Sequence, residues 1–195
     1  MAKIGLSKPR AAVYNAEGTT VTYSNPTVIG KYTAFGLTVE SSDDNNLYAD
    51  NAIAETDPNF AGGTATLTTD DLSPTVMATI LGLAYESIST TTSDSLWYLW
   101  NDSQVIPYLG IGGIIKRKLN GTISYQAFVL PKVQFVNPAL NLTTQGQTIT
   151  WQTQELTANV MRSDDANHRW FMMSTFFSTE EEADAVLNAY LSPSA

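Results

Sequence analysis

Alternating apolar and polar positions recur along the chain and predict β-strands. In residues 33–40, apolar side chains such as Phe35 and Leu37 alternate with small or polar ones, which gives the segment one apolar and one polar face. Residues 64–68 and 147–153 repeat this pattern. Because strands with one apolar face are typical of antiparallel sheets, we expect a mainly β protein.

A turn signal at Asn120-Gly121 separates two long strand patterns, residues 107–118 and 122–135. Asn and Gly both adopt positive φ readily, as the tight turn of a hairpin requires, so these segments predict a β-hairpin. Residues 87–95 consist almost entirely of Ser and Thr, and this composition predicts an exposed, flexible loop.

Two segments have the features of helices. Ser73 precedes a proline and a stripe of apolar residues, which predicts a short helix over residues 73–81. Thr179 and Glu182 have the spacing of a capping box. The apolar residues that follow predict a C-terminal helix over residues 179–191 that covers a sheet.

The length of 195 residues and the apolar fraction of 43% suffice for one core, so we expect a single domain, 1–195, with an N-terminal arm at 1–12. Thr, Ser and Asn account for 54 residues and favour strands and turns over helices. The longest apolar stretch, 105–115, is too short for a membrane helix, and the N-terminus has no export signal. We therefore expect synthesis in the cytoplasm and no membrane partner.

Few residues could support catalysis or hold a metal. Cysteine is absent, and His168 is the only histidine. The sequence has no Gly-x-Ser-x-Gly motif of the kind that accompanies the catalytic histidine of many serine hydrolases. The glycine-rich residues 110–113 lack the Lys of a phosphate loop and predict a strand approached closely by other groups. Neighbouring acids in a strand point to opposite faces, so we interpret the acid pairs as turn or cap residues. These pairs are Asp43-Asp44, Asp70-Asp71 and Asp164-Asp165. We predict no catalytic residue, no cofactor and no metal.

An aromatic cluster, Trp97, Tyr98 and Trp100, lies beside Asn101 and Asp102 and leaves two interpretations open. Aromatic rings with amide neighbours can bind sugars, as in a β-sandwich glycan-binding module. We favour instead a role in the core or in a subunit contact. A sugar site requires at least two of the rings to be exposed and coplanar.

Charge is distributed in blocks along the chain. The formal net charge is −9, which opposes binding to nucleic-acid phosphates. Residues 1–102 contain 4 cations and 12 anions, residues 103–154 contain 4 cations and no anion, and residues 155–195 contain 2 cations and 7 anions. Such a distribution is typical of a solvated acidic surface. It also allows head-to-tail association of copies, in which the basic patch of one copy docks on acidic neighbours.

Several short strings, taken in series, resemble the major tail protein family of long-tailed, non-contractile phages of Gram-positive bacteria. The strings are LYADN at 47–51, FAGGTATL at 60–67, DDL at 70–72, PYLGIG at 107–112, PKVQF at 131–135 and TTQGQ at 143–147. They follow the order that this family uses, and the resemblance as a whole covers residues 5–191. One departure is TQG at 144–146, where the family pattern has Thr-Lys-Gly, so no cation is present there.

The resemblance implies a tail tube subunit with an antiparallel β-sandwich or rolled barrel and one or two flanking helices, similar to the tube protein of type VI secretion. Six copies close a ring, and the rings stack into a tube in the virion through which DNA is ejected. The implied partners are further copies of the chain, a tape-measure protein and DNA in the lumen, and tail terminator and baseplate proteins. The implied subunit is not an enzyme.

Within this interpretation, we expect Glu40, Asp50 and Glu55 to face the lumen, where acids repel DNA. We expect contacts between subunits at Asp43, Asp44 and the 41–46 loop, at the N-terminal arm, and at the basic Lys116-Arg117-Lys118 turn. The alternatives are another tail component of similar fold, such as a tail terminator or baseplate hub, the glycan-binding module, and an enzyme of unrecognised type.

Overall fold

The structure, a computed structural model, describes residues 2–41, 45–49, 52–57, 59–89, 93–140, 144 and 152–192, with the backbone alone over 45–49 and 52–57. The strands are β1 (Ala2–Glu17), β2 (Thr20–Val28), β3 (Tyr32–Ser41), β4 (Asn45–Ala49), β5 (Ala52–Asp57), β6 (Phe60–Thr69), β7 (Ala84–Ser89), β8 (Asp94–Leu99), β9 (Leu109–Leu119), β10 (Thr122–Phe135), β11 (Gln154–Met161) and β12 (Met172–Met173). The helices are α1 (Pro74–Leu81) and α2 (Glu180–Leu191).

One antiparallel sheet of eight strands dominates the fold. Its order is β2-β1-β9-β10-β11-β6-β3, and β12 pairs with β10. The hairpins β4–β5 and β7–β8 form two separate two-stranded sheets. The expected mainly β class is confirmed, as are the strands predicted over 33–40 and 64–68. The strand predicted over 147–153 falls mostly outside the described residues.

The large sheet curls over itself. Strands β2 and β3 stand at opposite ends of the strand order, yet only three residues connect them. Four Cα steps reach about 14 Å at most, so the two ends of the sheet must lie near each other. The ring centroids of Phe35 in β3 and Phe128 in β10 are 4.8 Å apart. Within the described residues β2 and β3 do not pair, so these strands close no barrel.

The main core fills the inside of this roll. Inward residues of β6 and β11, such as Leu67 and Leu156, pack with Ile111 of β9 and Leu130 of β10. Helix α1 adds the buried Ile80 and a buried leucine to the same cluster. The apolar positions of the alternating patterns are therefore the ones that the roll encloses.

Helix α2 covers the outside of β1, β9 and β10. Its buried residues Ala183, Leu187 and Leu191 form a second cluster with Ile114 of β9 and Val129 of β10. The capping box predicted at its start is present, because Thr179 Oγ1 accepts from the backbone of Glu182 and the Glu182 carboxylate accepts from the backbone of Thr179. The short helix is confirmed as well, with Ser73 as its N-cap.

Strand β9 lies against α2 closely because it contains glycine. A Cβ atom placed on Gly112 would lie 2.6 Å from Leu187 Cδ1 and 2.6 Å from the Phe128 carbonyl oxygen. The close approach predicted for residues 110–113 is confirmed. The hairpin that follows is confirmed too, since Asn120 and Gly121 have φ values of 48° and 85°.

Two sequence predictions about irregular segments differ from the structure. Residues 2–12 are not an arm but the first part of β1, which pairs with β2 on one side and β9 on the other. The charge of Arg10 in this strand is balanced by Asp184 of α2, which accepts from Nε and Nη2 at 3.0–3.1 Å. In the predicted loop 87–95, residues 87–89 pair with 94–96 as the ends of β7 and β8.

Candidate functional site

The most regular surface is an uncovered face rich in hydroxyl groups, formed by the outward positions of β3, β6 and β11. In one row across the three strands, Thr38 pairs with Thr64 and Thr64 with Asn159. In the next row, Thr66 of β6 stands between a glycine and Thr157. We call this surface the hydroxyl face. Its members are Ala34, Gly36, Thr38, Glu40, Gly62, Thr64, Thr66, Thr68, Glu155, Thr157 and Asn159.

The hydroxyl face follows from the period of the strands. Ala65, Leu67, Leu156 and Ala158 point into the core, so the residues between them must point outward. The α2 helix lies against β1, β9 and β10, and among the described residues no helix covers this half of the sheet. The sequence therefore produces a surface of small, mostly polar side chains.

The formal charges on the hydroxyl face are both negative. Glu40 near the end of β3 and Glu155 near the start of β11 are exposed. They lie six positions apart along the strand direction, since Glu155 pairs with Thr68 and Thr68 with Ala34. At about 3.4 Å per residue this is roughly 20 Å, so each end of the face carries one carboxylate.

The three residues predicted to face a lumen have different outcomes. Glu40 lies on the hydroxyl face. Glu55 belongs to β5, where it pairs with Leu47, and only its backbone is described. Asp50 lies outside the described residues. Glu155 was missed by the sequence analysis, although residues 154–160 alternate in the same way as β3 does.

A second surface, which we call the basic end, lies where β9 meets the start of β1. Lys116, Arg117 and Lys118 are the last cations of β9 and not part of a turn, because the turn itself is formed by Asn120-Gly121. Lys3 of β1 pairs directly with Arg117 and was missed by the sequence analysis. Asp43 and Asp44, predicted to form subunit contacts as well, lie outside the described residues.

The third surface is the β7–β8 hairpin, which we call the knob. All six residues of β7 are exposed, as are the first four of β8. Tyr85, Leu96 and Trp97 each expose more than half of their surface. Pairing places Tyr85 with Tyr98 and Trp97 with Glu86, so both faces of the hairpin carry apolar groups.

Two of the three residues of the aromatic cluster therefore lie outside the core. Trp97 and Trp100 are 58% and 53% exposed. Tyr98 alone packs partly against the main core, where its hydroxyl is 3.2 Å from Thr75 Oγ1. The two indole rings are as exposed as a sugar site requires. A subunit contact requires the same exposure, so exposure alone does not distinguish the two interpretations.

Asp70, Asp71 and Asp165 accept from loop backbone, in keeping with the predicted turn role, whereas Asp164 accepts from side chains of the distant strands β1 and β10. Asp70 accepts from the backbone of Lys31, and Asp71 accepts from the backbone of Leu72. Asp164 Oδ2 accepts from Lys132 Nζ at 2.7 Å and from the Tyr14 hydroxyl at 2.9 Å. These two hydrogen bonds lower the pKa of Asp164 below its usual range.

Asp165 organises the loop that precedes β12. Burial raises the pKa of this carboxyl, but hydrogen bonds from the Asn167 backbone and the Arg169 guanidinium outweigh burial, so the net shift of the pKa is downward. In the same loop, His168 has a positive φ and its Nδ1 lies 3.2 Å from the Ser163 carbonyl oxygen. Both residues are thus engaged in holding the loop.

In the part of the chain that the structure describes, no three His, Asp or Glu residues are grouped so that they could hold a metal ion. None of the described helices has the length and apolar character needed to cross a membrane. Compared with known proteins, the chain matches no protein-family model and no curated protein.

Proposed function

We propose that the chain is a structural subunit that polymerises into the tail tube of a phage, as stacked hexameric rings around a channel for DNA. The observation that carries this proposal is the hydroxyl face, which ends at the edge strand β3. If β3 finds its outer pairing partner in a neighbouring copy, the sheet and its hydroxyl face continue from one subunit to the next. Pairing between copies also removes edges that invite aggregation.

The chemistry of the hydroxyl face suits the wall of a DNA channel. A Lys or Arg on such a wall would bind phosphate and release counterions, which adds affinity and slows passage. Hydroxyl groups and the carboxylates of Glu40 and Glu155 do not retain a polyanion in this way. Six copies with a charge of −9 each would carry −54 in all. In the proposed tube, the bare half of each roll faces inward and α2 faces outward.

This proposal keeps the rolled antiparallel sheet as the tube-forming unit. The described strands leave the roll open between β2 and β3. An open roll with two edges can share strands with neighbours, whereas a closed barrel cannot. The same features are compatible with a tail terminator or baseplate hub of similar fold, which would form single rings and no tubes.

The direct test is to purify the full chain and measure its mass by sedimentation velocity over a hundredfold range of concentration, with negative-stain microscopy in parallel. We expect hexamers, stacked rings or tubes with a central channel. A chain that remains monomeric throughout contradicts the proposal, and single rings that never stack favour the terminator or hub.

A second test addresses the channel. In the double variant Glu40→Lys and Glu155→Lys, each hexameric ring gains twelve lysines on the proposed wall. We expect its tubes to retain short double-stranded DNA, with retention that falls steeply as salt rises. The control adds the same number of lysines per chain, through Glu181→Lys and Val186→Lys on the exposed side of α2, and we expect it to leave the channel unchanged. Equal DNA retention by both variants contradicts the assignment of the hydroxyl face to the lumen.

A glycan-binding module is the second candidate, favoured by the exposed rings of Trp97 and Trp100. Retardation of the wild-type chain on a polysaccharide matrix, lost in Trp97→Ala and Trp100→Ala, together with a monomeric mass, would support this function in place of the tube.

A further inference from the structure

The knob and the basic end differ in charge and lie at opposite ends of the subunit. Helix α1 ends against residues 104–107, since Gln104 Nε2 donates to the Leu81 carbonyl oxygen. The knob starts three residues after α1 and therefore lies near Leu109, the first residue of β9. The basic end contains the last residues of the same strand. Eight positions of β9 correspond to about 27 Å, so the two surfaces are well separated.

The knob is a structure that requires a partner. An isolated two-stranded hairpin is marginally stable in water, and one sheet face is normally buried against another element. In the knob, apolar groups project from both faces. Tyr85 and Leu96 lie on one face, and Ile88 and Trp97 lie on the other, all of them exposed. Burial of these side chains in a contact would stabilise both the hairpin and the contact.

Charge indicates which surface covers the knob. From 84 to 102 the only charged residues are Glu86, Asp94 and Asp102, all acidic. The basic end brings four cations together, and two of them, Lys3 and Arg117, are directly opposite each other on neighbouring strands. An acidic partner surface complements this concentration of cations.

The basic end also offers apolar surface of its own. Ile4 of β1, Leu119 of β9, Ile123 of β10 and Phe176 are between 40% and 50% exposed and belong to the same end of the sheet or the segment beside it. Phe176 lies under the Arg117 guanidinium, with 5.1 Å from Cζ to the ring centroid. A surface of apolar groups among cations matches a hairpin of apolar groups among acids.

We propose that the knob of one copy docks onto the basic end of a second copy of this chain. The contact is head-to-tail, because the two surfaces differ and lie at opposite ends of one subunit, and repetition of such a contact gives a ring or a filament. This inference deepens the proposed function and rests on it for its biological role. The contact itself requires only that copies of the chain associate.

The first experiment is a charge exchange at the two surfaces. Glu86→Lys and Lys118→Glu are each expected to weaken association about tenfold or more in sedimentation velocity, because each single variant places like charges at the contact. The double variant carries both changes and should recover most of the wild-type association. An equimolar mixture of the two single variants should associate as well, since each knob then meets a basic end of opposite charge. Glu181→Lys on α2 is the control of equal charge change and should behave as wild type.

The second experiment detects the contact without requiring complete rings. The chain has no cysteine, so a chain with Leu96→Cys and Ile123→Cys presents one thiol on the knob and one at the basic end. A bismaleimide with a spacer of about 10 Å should join such chains into a ladder of dimers, trimers and longer species. The matched control carries Leu96→Cys and Val186→Cys, the latter on α2, and should give no ladder.

The outcomes separate this inference from the proposed function. Tubes or rings whose assembly ignores the charge exchange, with no ladder, overturn the docking of the knob and leave the tube proposal standing. A ladder with recovery in the double variant but no ring or tube supports the docking and overturns the tube. A wild-type chain that stays monomeric, with no ladder, overturns both.

Discussion

The contact between Gly112 and Leu187 provides a quantitative test of how α2 is held against the sheet. Leu187 is fully buried and its Cδ1 atom occupies the space next to the Gly112 Cα. Leu187→Ala removes three carbon atoms, which corresponds to about 2.4 kcal/mol of lost transfer free energy. A cavity contribution adds to this value, so we expect a loss of about 3 kcal/mol in the free energy of unfolding, within the range of about 2–5 kcal/mol for such changes.

Gly112→Ala perturbs the same contact from the other side. The new methyl group would lie 2.6 Å from Leu187 Cδ1 and equally close to the Phe128 carbonyl oxygen. Both distances are shorter than a van der Waals contact, so α2 or the strand must shift, at a cost of about 1–3 kcal/mol. In the double variant the clash with Leu187 disappears and the methyl group fills part of the cavity, while the clash with the Phe128 oxygen remains.

The double variant should therefore lose less than the two single variants combined, by about 1 kcal/mol or more. The measurement is urea unfolding followed by tryptophan fluorescence, at a concentration where sedimentation shows monomer. Val186→Ala on the exposed side of the same helix is the control and should change the free energy of unfolding by less than about 0.5 kcal/mol. Additivity of the two changes within about 0.5 kcal/mol would refute the proposed coupling between Gly112 and Leu187.

Two further predictions concern local hydrogen bonds. Thr179→Ala removes the side chain that accepts from the Glu182 backbone and should destabilise the chain by about 1 kcal/mol, visible as a lower Tm; an unchanged Tm contradicts the capping role. The pKa of Asp165 is lowered in the folded state, so its contribution to stability is present above the unfolded pKa of about 3.9 and is lost as pH falls through the folded pKa. Asp165→Asn should thus lower the free energy of unfolding at pH 7 and make this free energy depend less on pH in the acid range. An unchanged pH dependence in the acid range contradicts this assignment.

The elements that were predicted well from the sequence are those whose signals are local. Ser73 marks the start of α1, Asn120-Gly121 marks the hairpin turn, and Thr179 with Glu182 marks the start of α2. In each case the residues that make the hydrogen bonds or the turn are within four positions of one another. A single sequence contains all the information that such elements require.

Strand β1 was misjudged because its stability depends on distant residues. Lys3, Lys8 and Arg10 give it the composition of a solvated arm. The partner of Arg10 is Asp184, 174 residues away, and Lys8 Nζ lies 3.9 Å from the same carboxylate. No periodicity in residues 1–12 could indicate that a helix at the other end of the chain supplies this carboxylate.

The candidate surfaces likewise include features that a local sequence pattern predicts and features that depend on distant residues. The alternation of side chains along residues 33–40 puts Glu40 on the polar face of its strand. The same alternation in β11 puts Glu155 on that face. The meeting of Lys3 with Arg117 depends on the register between β1 and β9, which includes two irregularities and cannot be deduced from either strand alone. Residues 87–95 were predicted to form a loop because their Ser and Thr residues conceal the ends of the two strands of the knob.

Two kinds of uncovered surface on one subunit call for different explanations. The hydroxyl face is satisfied by water and gains little from a protein partner, so it suits a wall that stays wet. The knob exposes apolar side chains that water solvates poorly, so it suits a contact.

The two functions should therefore be separable by mutation. Charge changes at Glu40 and Glu155 should alter what passes along the proposed channel but not assembly, and changes at Glu86 or Trp97 should alter assembly but not the affinity of completed tubes for DNA. If both pairs of changes affect both properties, the hydroxyl face and the knob belong to one surface, and the assignment of lumen and contact must be abandoned.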